Sequence, residues 1–243
     1  MHNAPKFLKI TPPKNGRRWA IGDIHGCFYT LKVLLEDRLS ICQNDHIYFL
    51  GDYIDKGPHS HLVLDYLMDL QVNGYQLFTL RGNHEENLLY AQQNYNDRML
   101  RLFVAKMNKS PQLMADDGRV KSVYIDFCEK MPYYIELQDY FLVHAGFRFH
   151  LAEPFADWIG MLEVGKTDSA AIYLENKTLL VGHHPTNISE IEKMILQKQK
   201  IICLDNGCVY NKPHKRLDFN QLGHLCAFNL DTWELIRQKN LDI

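Results

Sequence analysis

One pattern restricts the fold more than any other: a short apolar run ends in a cluster of metal-binding or acidic side chains, again and again along the chain. Residues 18–21 lead into Gly22-Asp23-Ile24-His25-Gly26, and 46–50 into Gly51-Asp52-Tyr53-Ile54-Asp55-Lys56-Gly57. Residues 75–80 lead into Arg81-Gly82-Asn83-His84-Glu85, and 140–143 into His144-Ala145-Gly146. Residues 178–181 lead into Gly182-His183-His184-Pro185, and 201–204 into Asp205-Asn206-Gly207. Runs this short, rich in β-branched and aromatic residues, read as buried strands. In α/β folds the loops leaving the carboxyl ends of strands converge on one edge, so these scattered polar residues are expected to meet in space.

Helical patterns fill the gaps. Leu31, Leu34 and Leu35 share one face of a segment at 29–39, and Leu64, Leu67, Met68 and Val72 share one at 61–72. Further helices are expected at 88–107 and 120–131, joined by a turn through Asp116-Asp117-Gly118. A closing hairpin is expected from 224–230 and 233–238, turned at Asp231-Thr232. Strand–helix alternation followed by closely spaced strands predicts a layered α/β fold of mixed β-sheets flanked by helices. No linker divides the chain, so one domain is expected over 1–243, with its core at about 18–238.

Composition removes several classes of function. The chain has 27 basic and 29 acidic residues, which argues against a face built to grip a nucleic-acid duplex. No run approaches the roughly 18 apolar residues of a membrane span, and 1–14 lacks the apolar centre of a secretory signal. Cys27, Cys42, Cys128, Cys203, Cys208 and Cys226 are scattered without a CxxC pair, so reduced thiols in a cytoplasmic setting are expected.

The strand-end loops are a donor set. Asp23 and His25 lie two apart after a strand, Asp52 can bridge two cations with its two oxygens, Asn83 offers a carbonyl oxygen, and His144 and His183 offer imidazole nitrogens. Mixed oxygen and nitrogen donors without thiolates suit Mn²⁺, Fe or Zn²⁺ in a reactive site rather than a structural zinc. Two such ions sharing a carboxylate can hold phosphate oxygens and activate a water between them. Gly82-Asn83-His84-Glu85 by itself would read equally well as a helix start, with Asn83 as cap.

Together these segments resemble the phosphoprotein phosphatase branch of the calcineurin-like metallophosphoesterase superfamily. GDxHG is Gly22 to Gly26, GDxxDRG is Gly51 to Gly57 with Lys56 in place of arginine, and GNHE is Gly82 to Glu85. The HAG and GH elements match His144-Ala145-Gly146 and Gly182-His183, and Asp205-Asn206-Gly207-Cys208 resembles the late (T/N)GC element. The resemblance covers about 18–235 and is nearest to compact bacterial and phage serine/threonine phosphatases.

It implies a metallophosphoesterase β-sandwich and two divalent ions, with Mn²⁺ expected first and Fe, Zn²⁺, Ni²⁺ or Co²⁺ as alternatives. Asp23, His25, Asp52 and His183 would hold one ion, and Asp52, Asn83 and His144 the other. His84 would act as general acid, oriented by Asp55, while a hydroxide held between the ions attacks phosphorus. Lys56, Arg81, Asn83 and Arg148 would bind substrate. Lysine at 56 loses the bidentate fork of arginine. Where related sequences read Trp-Ile-Arg this chain reads Trp158-Ile159-Gly160, leaving Arg148 or Lys166 to compensate. His184 stands where threonine is common.

The substrate is then a phosphorylated protein or a small phosphate ester. A serine/threonine phosphatase leads, a dinucleoside polyphosphate hydrolase of the diadenosine tetraphosphate type competes, and a weak phosphate-binding signalling module comes third. No nucleic-acid duplex or membrane partner is expected. Oligomeric state is not legible.

Overall fold

A computed structural model describes residues 6–165, 174, 176–210 and 218–243. Strands β2 (Arg18–Ile21), β3 (His46–Phe49) and β4 (Gln76–Thr79) are parallel neighbours. The hairpin of β9 (His224–Asn229) and β10 (Leu235–Lys239) lies antiparallel against β2, giving one sheet of order β10-β9-β2-β3-β4. The second sheet comprises β1 (Phe7–Lys9), β5 (Tyr134–Glu136), β6 (Tyr140–Val143), β7 (Thr178–Val181) and β8 (Ile201–Cys203), in the order β1-β5-β6-β7-β8. Only β5 and β6 run antiparallel there.

Parallel neighbours need crossovers, and helices supply them. Helix α1 (Phe28–Val33) lies between β2 and β3, and α2 (Ser60–Val72) between β3 and β4. After β4 come α3 (Asn83–Asn94), α4 (Asp97–Arg101) and α5 (Ser122–Glu129). Helix α6 (Trp158–Glu163) precedes β7, and α7 (Ile188–Leu196) precedes β8.

Side-chain alternation along the strands sorts the apolar residues into layers. Ala20, Tyr48 and Phe228 of the first sheet are buried against Ile135, Leu142, Leu180 and Ile202 of the second. Their neighbours Trp19, Ile21, Ile47 and Phe49 pack instead with Leu31, Leu64 and Leu67 of α1 and α2. On the outer side of the second sheet, Phe141, Val143, Leu179 and Val181 pack with Phe147, Phe149 and Met161. Each such large side chain contributes about 1.5–3 kcal/mol by leaving water. The result is the layered α/β arrangement of two mixed sheets that the pattern predicts. Among the described residues no helix is long and apolar enough to cross a membrane.

Some boundaries differ from expectation. β1 and β5 are three-residue strands with charged members, too short to give a periodic signal. The single helix expected at 88–107 starts earlier, at Asn83, and breaks at Tyr95, because Asn96 accepts the Met99 N–H at 3.0 Å and caps a new helix. The ends of α1 and α4 continue as wider π-type turns, Leu34–Arg38 and Leu102–Met107.

At one end of the sandwich Arg18 joins the two sheets. Its guanidinium donates to both Asp139 oxygens at 2.8 Å and to Asp231 at 2.7 Å. The carboxyl ends of β2, β3, β4, β6, β7 and β8 leave the opposite edge open for chemistry.

Candidate metal centre

The loops leaving those strand ends are stitched together by backbone contacts. Ile24 and His25 N–H donate to the Asp52 carbonyl at 3.1 and 2.8 Å, and Gly182 N–H donates to the His144 carbonyl at 2.8 Å. His183 N–H donates to both Asp23 carboxylate oxygens, at 3.1 and 3.0 Å. Asp23 approaches so closely that a Cβ at position 182 would lie 2.1 Å from its Oδ1, which only glycine permits. His25, Asp52, Asp55, Lys56 and His183 all adopt left-handed φ between 48° and 70°. Such backbone is uncommon for non-glycine residues and persists where surrounding contacts hold it.

Asp52 sits at the middle. Its Oδ2 lies 3.4 Å from His25 Nε2 and 3.9 Å from His84 Nε2, and its Oδ1 lies 3.4 Å from His144 Nε2. Around His144, the Nε2 is 3.0 Å from Asn83 Oδ1 and 3.1 Å from His183 Nδ1, and Asn83 Oδ1 is 3.1 Å from that same His183 nitrogen. Two groups with metal-ligand spacing emerge, His25-Asp52-His84 and Asp52-His144-His183. The resemblance implies that His183 shares an ion with Asp23, His25 and Asp52. The His183 ring joins Asn83 and His144, and only its backbone N–H meets Asp23.

The donor chemistry fits cations. His25 Nδ1 pairs with the Ile54 carbonyl at 3.0 Å and His144 Nδ1 with the Leu50 carbonyl at 2.8 Å. Carbonyls accept, so each ring carries its proton on Nδ1 and turns the Nε2 lone pair inward. With Asn83 Oδ1 facing them, lone pairs converge on one point, an arrangement that a cation satisfies. Turning the Asn83 amide over would place its NH₂ toward Asp52, His144 and His183 instead. At the other group the Lys56 ammonium supplies the positive charge, donating to His25 Nε2 at 2.7 Å.

Charge follows the same logic. Burial, with Asp205 and Asp52 nearby, pushes Asp23 well above the usual carboxylate range, and burial pushes Asp205 up to about 6. Burial would raise Asp52 too, but the His144, His25 and His84 rings outweigh it and hold it low. Burial beside His144 and His184 takes His183 down to about 3, and burial lowers His144 and His25. A buried cluster of carboxylates and neutral imidazoles is short of positive charge, as a divalent-ion site should be.

His84 Nδ1 lies 2.8 Å from Asp55 Oδ2. Burial pulls the His84 pKa down, yet the Asp55 hydrogen bond and the Asp52 charge leave it raised. Asp55 is itself held by the Ser110 hydroxyl at 3.0 Å on its other oxygen.

Glu85 was legible only as part of a helix start, and the structure gives it more to do. Its carboxylate accepts N–H groups from Gly82, Asp52, Tyr53 and Ile54 at 3.0, 3.0, 2.9 and 3.3 Å. It shapes the loop that carries Asp52. A glutamate three residues into a helix often reaches back to backbone donors, which was the available signal. Asp205 also escaped assignment; it is buried and accepts the Gly207 N–H at 2.6 Å.

The expected substrate-binding residues divide. Lys56 and Asn83 lie in the cluster. Arg81 does not offer its terminal nitrogens outward: they donate to Glu86 at 2.8 Å, Tyr133 at 3.2 Å and the carbonyls of Cys128 and Glu129 at 3.2 and 2.9 Å. Through these bonds Arg81 braces α3 against α5. Arg148 pairs with Asp157 at 3.3 Å. A Cβ on Gly160 would fall 2.1 Å from Asp157 Oδ2 and 3.2 Å from Arg148 Cγ, so glycine there makes room for this pair. His184 Nε2 meets the Val164 carbonyl at 2.8 Å, tying the segment after α6 to the His183 loop. Lys166 lies outside the described residues.

A two-sheet sandwich whose strand-end loops gather aspartate, asparagine and histidine around one shared carboxylate defines a metallophosphoesterase. The calcineurin-like phosphoesterase family matches residues 16–226, and the chain belongs to that family of metal-dependent phosphate-ester hydrolases. A symmetrical bis(5'-nucleosyl)-tetraphosphatase of Shewanella sediminis (strain HAW-EB3) is 32% identical over 212 residues, covering 82% of this chain and 70% of that protein. Serine/threonine-protein phosphatase 2B catalytic subunit A1 of Saccharomyces cerevisiae is 38% identical over 97 residues, 40% of this chain and 17% of that protein. Several curated relatives are thus matched over less than half of their own length. Among solved structures, one provisionally described as a diadenosine tetraphosphatase superposes with a TM-score of 0.65 at 20% identity, covering 98% of this chain and 100% of that one.

Proposed function

We propose that this chain is a dinuclear-metal phosphomonoesterase acting on phosphoserine and phosphothreonine side chains of proteins. The observation that carries the reading is the position of Asp52, flanked by both donor groups, with His84 Nε2 on the same side at 3.9 Å. One ion would be held by Asp23, His25 and Asp52, and the other by Asp52, Asn83, His144 and His183. Bound there, Mn²⁺ or another divalent ion would polarise phosphate oxygens and make a water nucleophilic at neutral pH.

The chain's own residues do the rest. Asp55 accepts the Nδ1–H of His84 and helps raise its pKa, and in the protonated ring the Nε2–H would aim at the site where a leaving oxygen needs a proton. The hydrogen bonds from His25 and His144 to main-chain carbonyls fix both rings with their Nε2 lone pairs inward. Lys56 presents an ammonium at the cluster's edge, suited to a phosphate oxygen once it leaves His25. Glu85 and the left-handed backbone of the Asp52 loop preorganise that carboxylate. We read the chain as one domain and place it in a reducing cytoplasm, in keeping with its six free cysteines.

A second reading, hydrolysis of symmetrical dinucleoside tetraphosphates, is supported by the Shewanella relative and by the structural neighbour. Both reactions put a phosphate against the same donors. Turnover of a phosphothreonine peptide and of diadenosine tetraphosphate, measured side by side across a Mn²⁺ titration, separates them. Peptide turnover exceeding dinucleotide turnover is expected. The reverse order favours the second reading, and no hydrolysis of either with Mn²⁺, Ni²⁺, Co²⁺ or Zn²⁺ removes the enzyme reading.

A further inference from the structure

The helical segment between α3 and α5 carries a groove of about 920 Å³ that the metal centre does not use. Its walls include Met99, Leu102, Ala105, Pro111 and Met114. Met99 and Leu102 are about half exposed, at 47% and 49%. Along the same helical stretch Arg98, Arg101 and Lys106 line the groove, all exposed. None of these cations has an ion pair or hydrogen bond among the described residues. Asp116 is the one acidic residue among the described lining residues.

The groove is also joined to the catalytic loop. Immediately after Lys106, the Asn108 carbonyl accepts the Lys56 N–H at 3.3 Å, and Ser110 donates to Asp55 at 3.0 Å.

Apolar walls with unpaired cations fit a ligand that carries both apolar and acidic groups. A polyphosphate alone would leave the methionine and leucine walls uncovered. A nucleotide base would look for an aromatic face to stack on, and no lining residue is aromatic. Flexible methionine side chains adapt to varied apolar partners. We propose that this groove docks an acidic, amphipathic stretch of a phosphoprotein substrate while the phosphorylated side chain occupies the metal centre. The docking rests on the protein-phosphatase reading for its purpose but not for its physics: apolar side chains fill the Met99–Leu102–Met114 wall and carboxylates meet Arg98, Arg101 and Lys106.

The test uses the full chain with Mn²⁺ and a fluorescein-labelled peptide of leucine and glutamate in amphipathic order, followed by fluorescence anisotropy. The acidic peptide should bind at least about ten-fold more tightly than its lysine-for-glutamate counterpart. Binding should weaken about ten-fold in the triple variant Arg98→Glu/Arg101→Glu/Lys106→Glu, and similarly in Leu102→Asp alone. Circular dichroism and p-nitrophenyl phosphate turnover should match the parent chain in both variants. Fused to a phosphothreonine substrate, the acidic segment should lower KM about ten-fold with kcat unchanged, and the triple variant should abolish that gain. Equal binding of the acidic and basic peptides, unchanged binding by the variants, or displacement of the peptide by equimolar diadenosine tetraphosphate would overturn the proposal. Loss of p-nitrophenyl phosphate turnover in the parent chain would count against the hydrolase reading alone, because docking is read by anisotropy.

Discussion

His84 and Asp55 face each other across 2.8 Å, Nδ1 to Oδ2, at a point where His84 Nε2 turns toward Asp52. The carboxylate orients the ring and stabilises its protonated form, the form that can donate from Nε2. His84→Asn should lower kcat by about 10²–10⁴-fold while metal content, measured by plasma mass spectrometry, stays at the parental level. Asp55→Asn should act through pH as well. Asp55 raises the His84 pKa, so its removal lowers it; an acid must be protonated to work, and the alkaline decline of kcat/KM should begin at lower pH in this variant. An unshifted profile would separate Asp55 from His84 function.

Metal stoichiometry reads the grouping of ligands directly. The His183 ring lies with Asn83 and His144, so His183→Ala should lose one ion and keep the one held near Asp23 and His25. Asp52→Asn, which touches both groups, should lose both. Equal stoichiometry in the two variants would contradict the shared role of Asp52.

Glu85→Ala should destabilise the fold by about 3 kcal/mol or more, because it strips the acceptor from buried N–H groups of Gly82, Asp52, Tyr53 and Ile54. Urea unfolding measures this. The same variant should lower kcat without removing a metal ligand, since the Asp52 loop loses its support.

Asp45 gives a stability change with pH far from the centre. It is buried and accepts from Arg17 N–H at 2.8 Å, from Arg17 Nη2 at 2.5 Å and from Cys42 N–H at 3.1 Å. Burial would raise its pKa, but these donors outweigh it and hold the carboxyl below its ordinary value of 3.8. A lowered carboxyl pKa contributes stability that is complete above the unfolded value and is lost as pH falls through the folded one. Asp45→Asn should therefore cost about 2 kcal/mol at neutral pH, and the gap in urea midpoints should close as pH drops below about 4.

Local pattern and tertiary placement contributed different things. The alternation of apolar runs with Asp23, His25, Asp52, Asn83, His144 and His183 is a property of the chain read in order, and it identified the strands and their carboxyl-end loops and named candidate donors. Strand period and loop chemistry are local, so a few residues suffice to express them. Residues whose role depends on what lies opposite could not be read that way. Arg81 looks like a free cation until Glu86, Tyr133 and the Cys128 and Glu129 carbonyls surround it. Glu85 looks like helix capping until the Asp52 loop folds onto it.

The sequence by itself determined the class of chemistry, because side-chain type decides what can ligate a cation or carry a proton. Only the tertiary structure decided which donors stand together: His183 is 39 positions from His144 yet their ring nitrogens are 3.1 Å apart. That distance is set by β6 and β7 pairing in parallel and by the turns that follow them, and pairing between strands is a contact no single segment contains.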